Sequence, residues 1–221
     1  MELKAVLFDL DGTLVNTAPD MVGALNRLLE ANNKPLVDYA EASKLVSNGG
    51  RALVLHGFGN QLEEKQIDQY VNDFLITYEQ HVCDESHLYD DLLEALTFCE
   101  NNNLQWGVIT NKPLELAKGV LAGLNLLDRC SILLGGDSLP VKKPDPVPML
   151  HACMVLNLAP SQCLYIGDHV RDIEAANASG MDSAAALWGY ISDTDNPDRW
   201  GAKYHIRKPS GLLNLIKDLL A

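Results

Sequence analysis

Two aspartates stand two positions apart in the segment Asp9-Leu10-Asp11-Gly12-Thr13, directly after a short apolar run. In extended backbone the side chains of residues i and i+2 point to the same face, so both carboxylates would face one way. Gly12 permits the chain to turn sharply after them. The pattern is typical of a catalytic carboxylate pair, and it is also typical of an acidic turn.

A second acidic segment, Asp168-His169-Val170-Arg171-Asp172, follows another apolar run. Acidic residues at the start of a helix suit the helix dipole, which is the structural alternative for this segment. Several carboxylates at one sheet edge would repel one another unless a hard cation lay among them. Oxygen ligands without a His or Cys cluster favour Mg²⁺ at such a place.

Lys143 brings a positive charge, and the proline after it predicts extended or turn backbone at this position. Thr110 and Asn111 close another apolar run and precede Pro113. They could donate hydrogen bonds to phosphoryl oxygens or cap the helix that follows. A solvated loop lysine is the alternative for Lys143, so each of these residues is weak evidence alone.

Short apolar runs predict the strands that position these residues, because strands buried on both faces of a parallel sheet read this way. The runs cover residues 3–8, 105–110, 131–135, 163–167 and, more weakly, 182–187. Helix-like stretches follow the second, third and fourth runs, at residues 113–124, 146–156 and 171–179. This alternation predicts an α/β fold with a doubly wound, Rossmann-like parallel sheet.

Ligands bind outside the carboxyl ends of the strands in such sheets. The polar residues singled out above all follow predicted strands, so we expect them to meet at one edge.

The segment of residues 17–85 follows a helical pattern instead. Thr17 can cap a helix in which Met21 and Leu25 recur at helical spacing, and a second periodic stretch covers residues 67–82. We therefore expect a small α-helical cap domain of residues 17–85, inserted after the first strand. The core would comprise residues 1–16 and 86–221.

The overall composition limits the possible partners. A net charge of −13 argues against nucleic acid, which requires phosphate-neutralising Lys and Arg. No run approaches the roughly 20 apolar residues of a membrane helix. The N-terminal apolar stretch is broken by Asp9 and Asp11 and lacks a signal-peptide cleavage site, which predicts a cytoplasmic protein. We expect a monomer or homodimer.

Taken together, four motifs resemble the haloacid dehalogenase superfamily, in order and over essentially the whole chain. They are Asp9-Leu10-Asp11-Gly12-Thr13-Leu14, Thr110-Asn111-Lys112, Lys143-Pro144-Asp145-Pro146, and Gly167-Asp168 followed by Asp172. The resemblance implies that Asp9 is a nucleophile that forms an aspartyl-phosphate and that Asp11 is the general acid/base. It implies that Thr110 holds the transferring phosphoryl group and that Lys143 steadies it.

The same resemblance implies a Mg²⁺ site. Asp9, Asp168 and the backbone carbonyl of Asp11 would bind the ion, and Asp172 would act through water or as a positioning group. His169 departs from the family pattern, since a small or acidic residue is more usual there. It is either a solvent-facing bystander or a group that tunes the acid cluster.

The helical insertion resembles the phosphoglycolate phosphatase-like branch, which implies a small phosphorylated metabolite as substrate. Asp11 favours phosphoryl chemistry over dehalogenation, and Thr13 favours hydrolysis over phosphomutase activity. We expect Thr13, Asn111, Gly50 and Arg51 to bind substrate, with Arg51 clamping a carboxylate. Phosphoglycolate and N-acetylmuramic acid 6-phosphate both carry one, so both substrates remain open. A non-enzymatic regulatory relative is the remaining alternative.

Overall fold

The computed structural model describes residues 2–221 of the chain. Its strands are Ala5–Phe8 (β1), Val15–Asn16 (β2), His87–Leu88 (β3), Gln105–Ile109 (β4), Ile132–Leu134 (β5), Cys163–Gly167 (β6), Asp182–Ala186 (β7) and Tyr204–Ile206 (β8). Its α-helices are Ala18–Ala31 (α1), Tyr39–Ser43 (α2), Gly49–Phe58 (α3), Glu64–Glu79 (α4), Leu92–Asn101 (α5), Leu114–Gly123 (α6), Val147–Leu156 (α7), Val170–Ser179 (α8) and Ser210–Leu220 (α9).

Six strands form one sheet in the order β5-β4-β1-β6-β7-β8, and every neighbouring pair is parallel. The first strand therefore lies in the middle, between β4 and β6. Its Ala5 is in register with Gln105 on one side and Cys163 on the other. This register brings the carboxyl ends of β1, β4 and β6 to the same level, where the chain reverses its winding direction.

Helices cover both faces of the sheet, which confirms the predicted doubly wound α/β fold. One apolar cluster includes residues of α5, α6 and α9, and a second includes residues of α7 and α8. All four residues of β1 are completely buried. The continuous apolar run at the start of the chain is thus a strand buried on both faces.

Three strands were not predicted. The edge strand β8 has three residues, of which His205 is exposed, so it lacks the apolar run that marks a buried strand. The two-residue strands β2 and β3 pair antiparallel, with Val15 opposite Leu88 and Asn16 opposite His87. The five predicted strands are all present as β1, β4, β5, β6 and β7. Most of them are one or two residues shorter than the predicted run.

Four helices, α1 to α4, occupy the chain between β2 and β3 and share an apolar cluster. The β2–β3 pair holds the two connections of this helical segment side by side. Asp20 of α1 reinforces the junction, because its carboxylate accepts hydrogen bonds from the backbone N–H groups of Glu85 and Ser86. The division into a core and a cap of residues 17–85 stays a prediction.

Thr17 stands at the N-terminus of α1 as predicted, but its side chain does not cap the helix. The hydroxyl donates to the Asp11 carboxylate instead, at 2.6 Å. Donation to Asp11 holds the Thr17 side chain in one rotation, and its oxygen accepts from no N–H group of the first turn.

Among residues 2–221, no helix combines the length and the apolar character that crossing a bilayer requires.

Gly107 in β4 offers a test of how tightly the central strands pack. A Cβ at this position would lie 2.7 Å from the backbone oxygen of Ile132 in β5. We expect Gly107→Ala to lower the free energy of unfolding by about 1–3 kcal/mol, measured by urea denaturation, because overpacking forces the strands apart. Gly23→Ala in α1 is the matched control, since its Cβ would meet only the flexible Arg27 side chain. Equal losses in the two variants would contradict this account.

Candidate active site

Asp9 follows directly after the central strand, where its backbone N–H donates to the carbonyl of Ile166 in β6. Its side chain is buried, and Oδ1 accepts a hydrogen bond of 2.7 Å from the Leu10 N–H. The same oxygen lies 3.0 Å from Lys143 Nζ. A buried ammonium therefore contacts the Asp9 carboxylate.

Lys143 lies between two carboxylates and a phenol. Its Nζ is 2.6 Å from Asp172 Oδ1 and donates to the Tyr165 hydroxyl at 2.8 Å. Tyr165 in turn donates to the carbonyl of Ile109 at 2.7 Å, so its oxygen is oriented to accept from the lysine. Asn111 holds the loop in place through a hydrogen bond from Nδ2 to the Lys143 carbonyl.

Three aspartates converge beside this lysine. Carboxylate oxygens of Asp9, Asp168 and Asp172 all lie within 4.8 Å of one another, and all three residues are buried. Asp168 Oδ2 accepts from the Tyr190 N–H at 2.8 Å, and Oδ1 accepts from the Thr13 hydroxyl at 3.1 Å. The predicted gathering of acids at the strand ends is thus present in three dimensions.

The electrostatics of the three acids differ. Burial, followed by the charges of Asp9 and Asp172, raises the pKa of Asp168 to about 7. Burial also raises the pKa of Asp172, despite the neighbouring Lys143. Burial opposes ionisation of Asp9 as well, but Lys143 and Arg171 outweigh it and hold the pKa of Asp9 below its ordinary value.

This cluster fits a hard divalent cation. Its donors are carboxylate oxygens, the ligand type that Mg²⁺ prefers, and a cation would replace the proton that Asp168 otherwise retains near neutral pH. Gly12 contributes space for this arrangement. Its φ is +80°, and a Cβ there would lie 2.2 Å from Asp168 Oδ2.

Asp11 lies apart from the three clustered acids and has its own partners. Its Oδ1 accepts from the Thr17 hydroxyl at 2.6 Å and from Lys112 Nζ at 2.9 Å. Asp9 and Asp11 both line one cavity of about 480 Å³. Asp9 and Asp11 therefore line the same cavity but have different partners.

The helical segment closes this cavity from the other side. Ser47, which precedes α3, donates its hydroxyl to Asp168 Oδ2 at 2.9 Å, and its carbonyl accepts from the Arg171 guanidinium. A Cβ on Gly50 would lie 2.9 Å from the Phe74 ring, so glycine permits the close approach of α3 to α4. The cavity is lined by residues of the helical segment and by residues of the sheet and its helices. They include Ser47, Gly50, Arg51, Val71, Leu75, Thr110, Asn111, Leu116, Lys143 and Arg171.

Two of the predicted substrate-binding residues have other partners in the structure. The Arg51 guanidinium, on a half-exposed side chain, lies 2.7 Å from Glu64 and 3.7 Å from Asp68. Thr13 is completely buried, and its hydroxyl contacts Asp168. Substrate binding by Thr13, Gly50, Arg51 and Asn111 stays a prediction.

His169 is not a solvent-facing bystander, since it is half-buried and caps α8. Its ring nitrogen accepts from the Arg171 N–H at 3.3 Å, while the Asp172 carboxylate accepts from the His169 N–H. Burial and the Arg171 charge lower the pKa of His169 to about 4. The ring is therefore neutral at pH 7, as a hydrogen-bond acceptor must be.

Sequence reasoning did not single out Ser47, Arg171, Lys112 or Tyr165 as site residues. Arg171 and Lys112 lie inside the quoted motifs, so their positions were a usable signal. Tyr165 carried no such signal, because a tyrosine within an apolar strand is typical of a core residue. The contact of Ser47 with Asp168 spans 121 positions and depends on how the helical segment packs.

The raised pKa of Asp168 predicts a pH-dependent stability difference between the metal-free protein and its Asp168→Asn variant. Between about pH 4 and pH 7 the folded chain keeps the Asp168 proton that the unfolded chain has released. The contribution of Asp168 to the free energy of unfolding therefore falls as pH rises, by up to about 1.4 kcal/mol per pH unit.

We expect the wild-type-minus-variant difference, from urea denaturation, to decline over that window and to level off above it. His169 contributes the opposite slope, but it is present in both proteins and cancels in the difference. A difference that does not vary with pH would show that Asp168 ionises normally.

Comparisons with known proteins identify the family of this chain. A family model described as haloacid dehalogenase-like hydrolase matches residues 6–186. N-acetylmuramic acid 6-phosphate phosphatase of Pseudomonas aeruginosa is 39% identical over 98% of this chain and 96% of its own. Phosphoglycolate phosphatase of Xanthomonas campestris pv. campestris is 40% identical over 95% and 94%.

The solved structures agree with these sequence relatives. A predicted phosphoglycolate phosphatase from Haemophilus somnus is similar with a TM-score of 0.86 at 27% identity, covering 98% of this chain and 99% of the other. The family match extends across the sheet and the helical segment, from β1 to β7. This chain therefore belongs to the haloacid dehalogenase-like hydrolase family.

Proposed function

We propose that this protein is a Mg²⁺-dependent phosphatase that hydrolyses a small phosphate monoester through an aspartyl-phosphate on Asp9. One observation carries the proposal: a buried lysine lies within 3.0 Å of Asp9 and Asp172, beside Asp168, where three strand ends open into a cavity. Such a site offers a nucleophile, fixed positive charge and oxygen ligands together. The phosphatase names of the relatives support the same reaction.

In the first step, a carboxylate oxygen of Asp9 attacks phosphorus while the bond from phosphorus to the ester oxygen breaks. Lys143 and Arg171 keep Asp9 ionised, as the lowered pKa of Asp9 indicates. Asp11, which lines the same cavity, gives its proton to the departing alkoxide.

In the second step, Asp11 takes a proton from water, whose oxygen attacks phosphorus. The bond from phosphorus to Asp9 breaks, inorganic phosphate leaves, and Asp9 returns as a carboxylate.

The remaining residues bind and orient the phosphoryl group. Thr110 follows β4 and Lys143 lies within the carboxylate cluster, so a hydroxyl and an ammonium converge on the place where charge develops. Asp9, Asp168 and Asp172, with the backbone carbonyl of Asp11, would hold the Mg²⁺. The ion, when bound, offsets the negative charge on the phosphoryl oxygens.

Replacing the nucleophile tests this mechanism directly. We expect Asp9→Asn to reduce phosphate release by more than about 10³-fold, because the neutral amide cannot form the covalent intermediate. Thermal unfolding should still show a cooperative transition. Intact-mass spectrometry after rapid acid quench should find a phosphorylated chain in the wild type and none in Asp9→Asn.

Phosphate release from a simple aryl phosphate, strictly dependent on Mg²⁺, also distinguishes the proposal from its rivals. A dehalogenase or a phosphomutase would not liberate inorganic phosphate, and a non-enzymatic relative would show no turnover. Full activity of Asp9→Asn would refute the aspartyl-phosphate route.

The cavity favours a sugar phosphate over phosphoglycolate as the substrate. The cavity volume of about 480 Å³ lies within the range of about 300–1,000 Å³ that accommodates drug-sized ligands. Such a cavity is far larger than a two-carbon acid requires. Part of the wall is apolar, with the half-buried Val71 and Leu75 of α4 facing Leu116 of α6. We infer that N-acetylmuramic acid 6-phosphate, whose acetyl and lactyl groups need such surface, is the better candidate.

Narrowing the cavity at Leu75 distinguishes the two esters. We expect Leu75→Trp to raise KM for N-acetylmuramic acid 6-phosphate by at least about 10-fold, since pocket contacts of this kind contribute about 1–3 kcal/mol. The KM for phosphoglycolate should change little, because the small ester does not reach this wall. Ile76→Trp is the matched control, as the neighbouring Ile76 is exposed and lies outside the cavity wall.

A wild type that prefers phosphoglycolate, together with equal effects of Leu75→Trp on both esters, would overturn the sugar-phosphate assignment. It would leave the phosphatase reaction intact.

A further inference from the structure

Lys112 is a buried lysine that the proposed reaction does not use. It follows Thr110 and Asn111 after β4 and lines the same cavity, but its side chain is almost completely buried. Its Nζ lies 2.9 Å from Asp11 Oδ1. Lys112 is thus a second buried lysine, and it contacts Asp11, the second aspartate of the first motif.

The ammonium of Lys112 is enclosed by the helical segment. It lies 4.4 Å from the ring centre of Tyr78 in α4 and 3.6 Å from the sulfur of Met21 in α1. A cation over an aromatic face is attracted by the ring, most strongly where water is excluded. The ammonium is therefore in contact with Asp11, Tyr78 and Met21.

The burial of this ammonium requires polar partners. Removing an ammonium from water costs several kcal/mol unless nearby groups offset the loss of hydration. Asp11 Oδ1 and the face of the Tyr78 ring supply that offset for Lys112.

The hydrogen bonds to Asp11 are unevenly shared between its two oxygens. Oδ1 accepts from both the Lys112 ammonium and the Thr17 hydroxyl. Within residues 2–221, no side chain or backbone N–H donates to Oδ2. Two donors on one oxygen fix the rotation of the carboxyl group, and the other oxygen is left for proton exchange.

We propose that Lys112 is a positioning residue, which together with Thr17 anchors Asp11 Oδ1 so that Oδ2 exchanges protons with the leaving oxygen and with water. The inference rests on the proposed phosphatase function. It assigns to Lys112 no contact with the substrate. Tyr78 and Met21 hold the ammonium against Asp11, so the helical segment contributes to the orientation of the acid.

The test compares leaving groups in the wild type and in Lys112→Met, which keeps the length of the side chain without its charge. One substrate is 4-nitrophenyl phosphate, whose leaving group departs as a stable anion and needs no proton. The other is whichever primary alkyl phosphate, N-acetylmuramic acid 6-phosphate or phosphoglycolate, the wild type hydrolyses faster. Its alkoxide must receive a proton from Asp11 in the first step.

We expect Lys112→Met to lower kcat/KM for the alkyl ester by at least about 100-fold, the scale of general acid catalysis. The loss for 4-nitrophenyl phosphate should remain below about 10-fold. A purely structural role would lower both values equally, so the ratio between the two esters isolates positioning.

Two further variants keep the test decisive. Lys112→Gln retains a hydrogen-bond donor and should recover part of the activity on the alkyl ester, and it replaces Lys112→Met if that protein does not fold. Lys118→Met, at an exposed lysine of α6 paired with Glu115, is the matched control and should change neither value.

Equal losses on both esters, or no loss on the alkyl ester, in a folded Lys112 variant would overturn the positioning role. A wild type that releases phosphate from none of the esters would instead overturn the proposed function.

Discussion

The contact on which the site depends is the one between the buried ammonium of Lys143 and the carboxylates of Asp9 and Asp172. Without it, two buried carboxylates would face each other beside Asp168, an arrangement that is strongly unfavourable in a medium of low dielectric constant. Tyr165 supplies the third partner of the ammonium. The lysine thus makes an acidic cluster compatible with a folded core and leaves it prepared for a divalent cation.

The sheet topology brings these groups together. Because β1 lies between β4 and β6, the residues that follow the three strands share one edge although more than 150 positions separate the first from the last. The parallel ladder fixes their relative height to within a residue. The rigid strands supply the precision that a group of loops would lack, which is a general advantage of building a site on sheet edges.

The floor and the wall of the cavity have different chemistry. The strand ends provide carboxylates, an ammonium and a hydroxyl, which suit the phosphoryl group in any ester. The helical segment provides the apolar side chains of Val71 and Leu75. Ser47 and Tyr78 connect the two, since each contacts a polar group of the floor. The polar and the apolar parts of the cavity lining are therefore separate in space and joined by these contacts.

The sequence by itself determined the fold class and the identity of the acids. Continuous apolar runs predict buried parallel strands. Asp9 and Asp168 follow two of those runs directly, and Asp11 and Asp172 come a few positions later. It could not determine partners, because hydrogen bonds such as that from Ser47 to Asp168 depend on packing between distant segments. Only the tertiary structure decided that Thr17 binds Asp11 rather than capping α1, and that His169 caps α8. Both partners are near in sequence, six positions away for Thr17 and two for His169. Local patterns allow several such contacts, and packing at the folded sheet edge selects one of them.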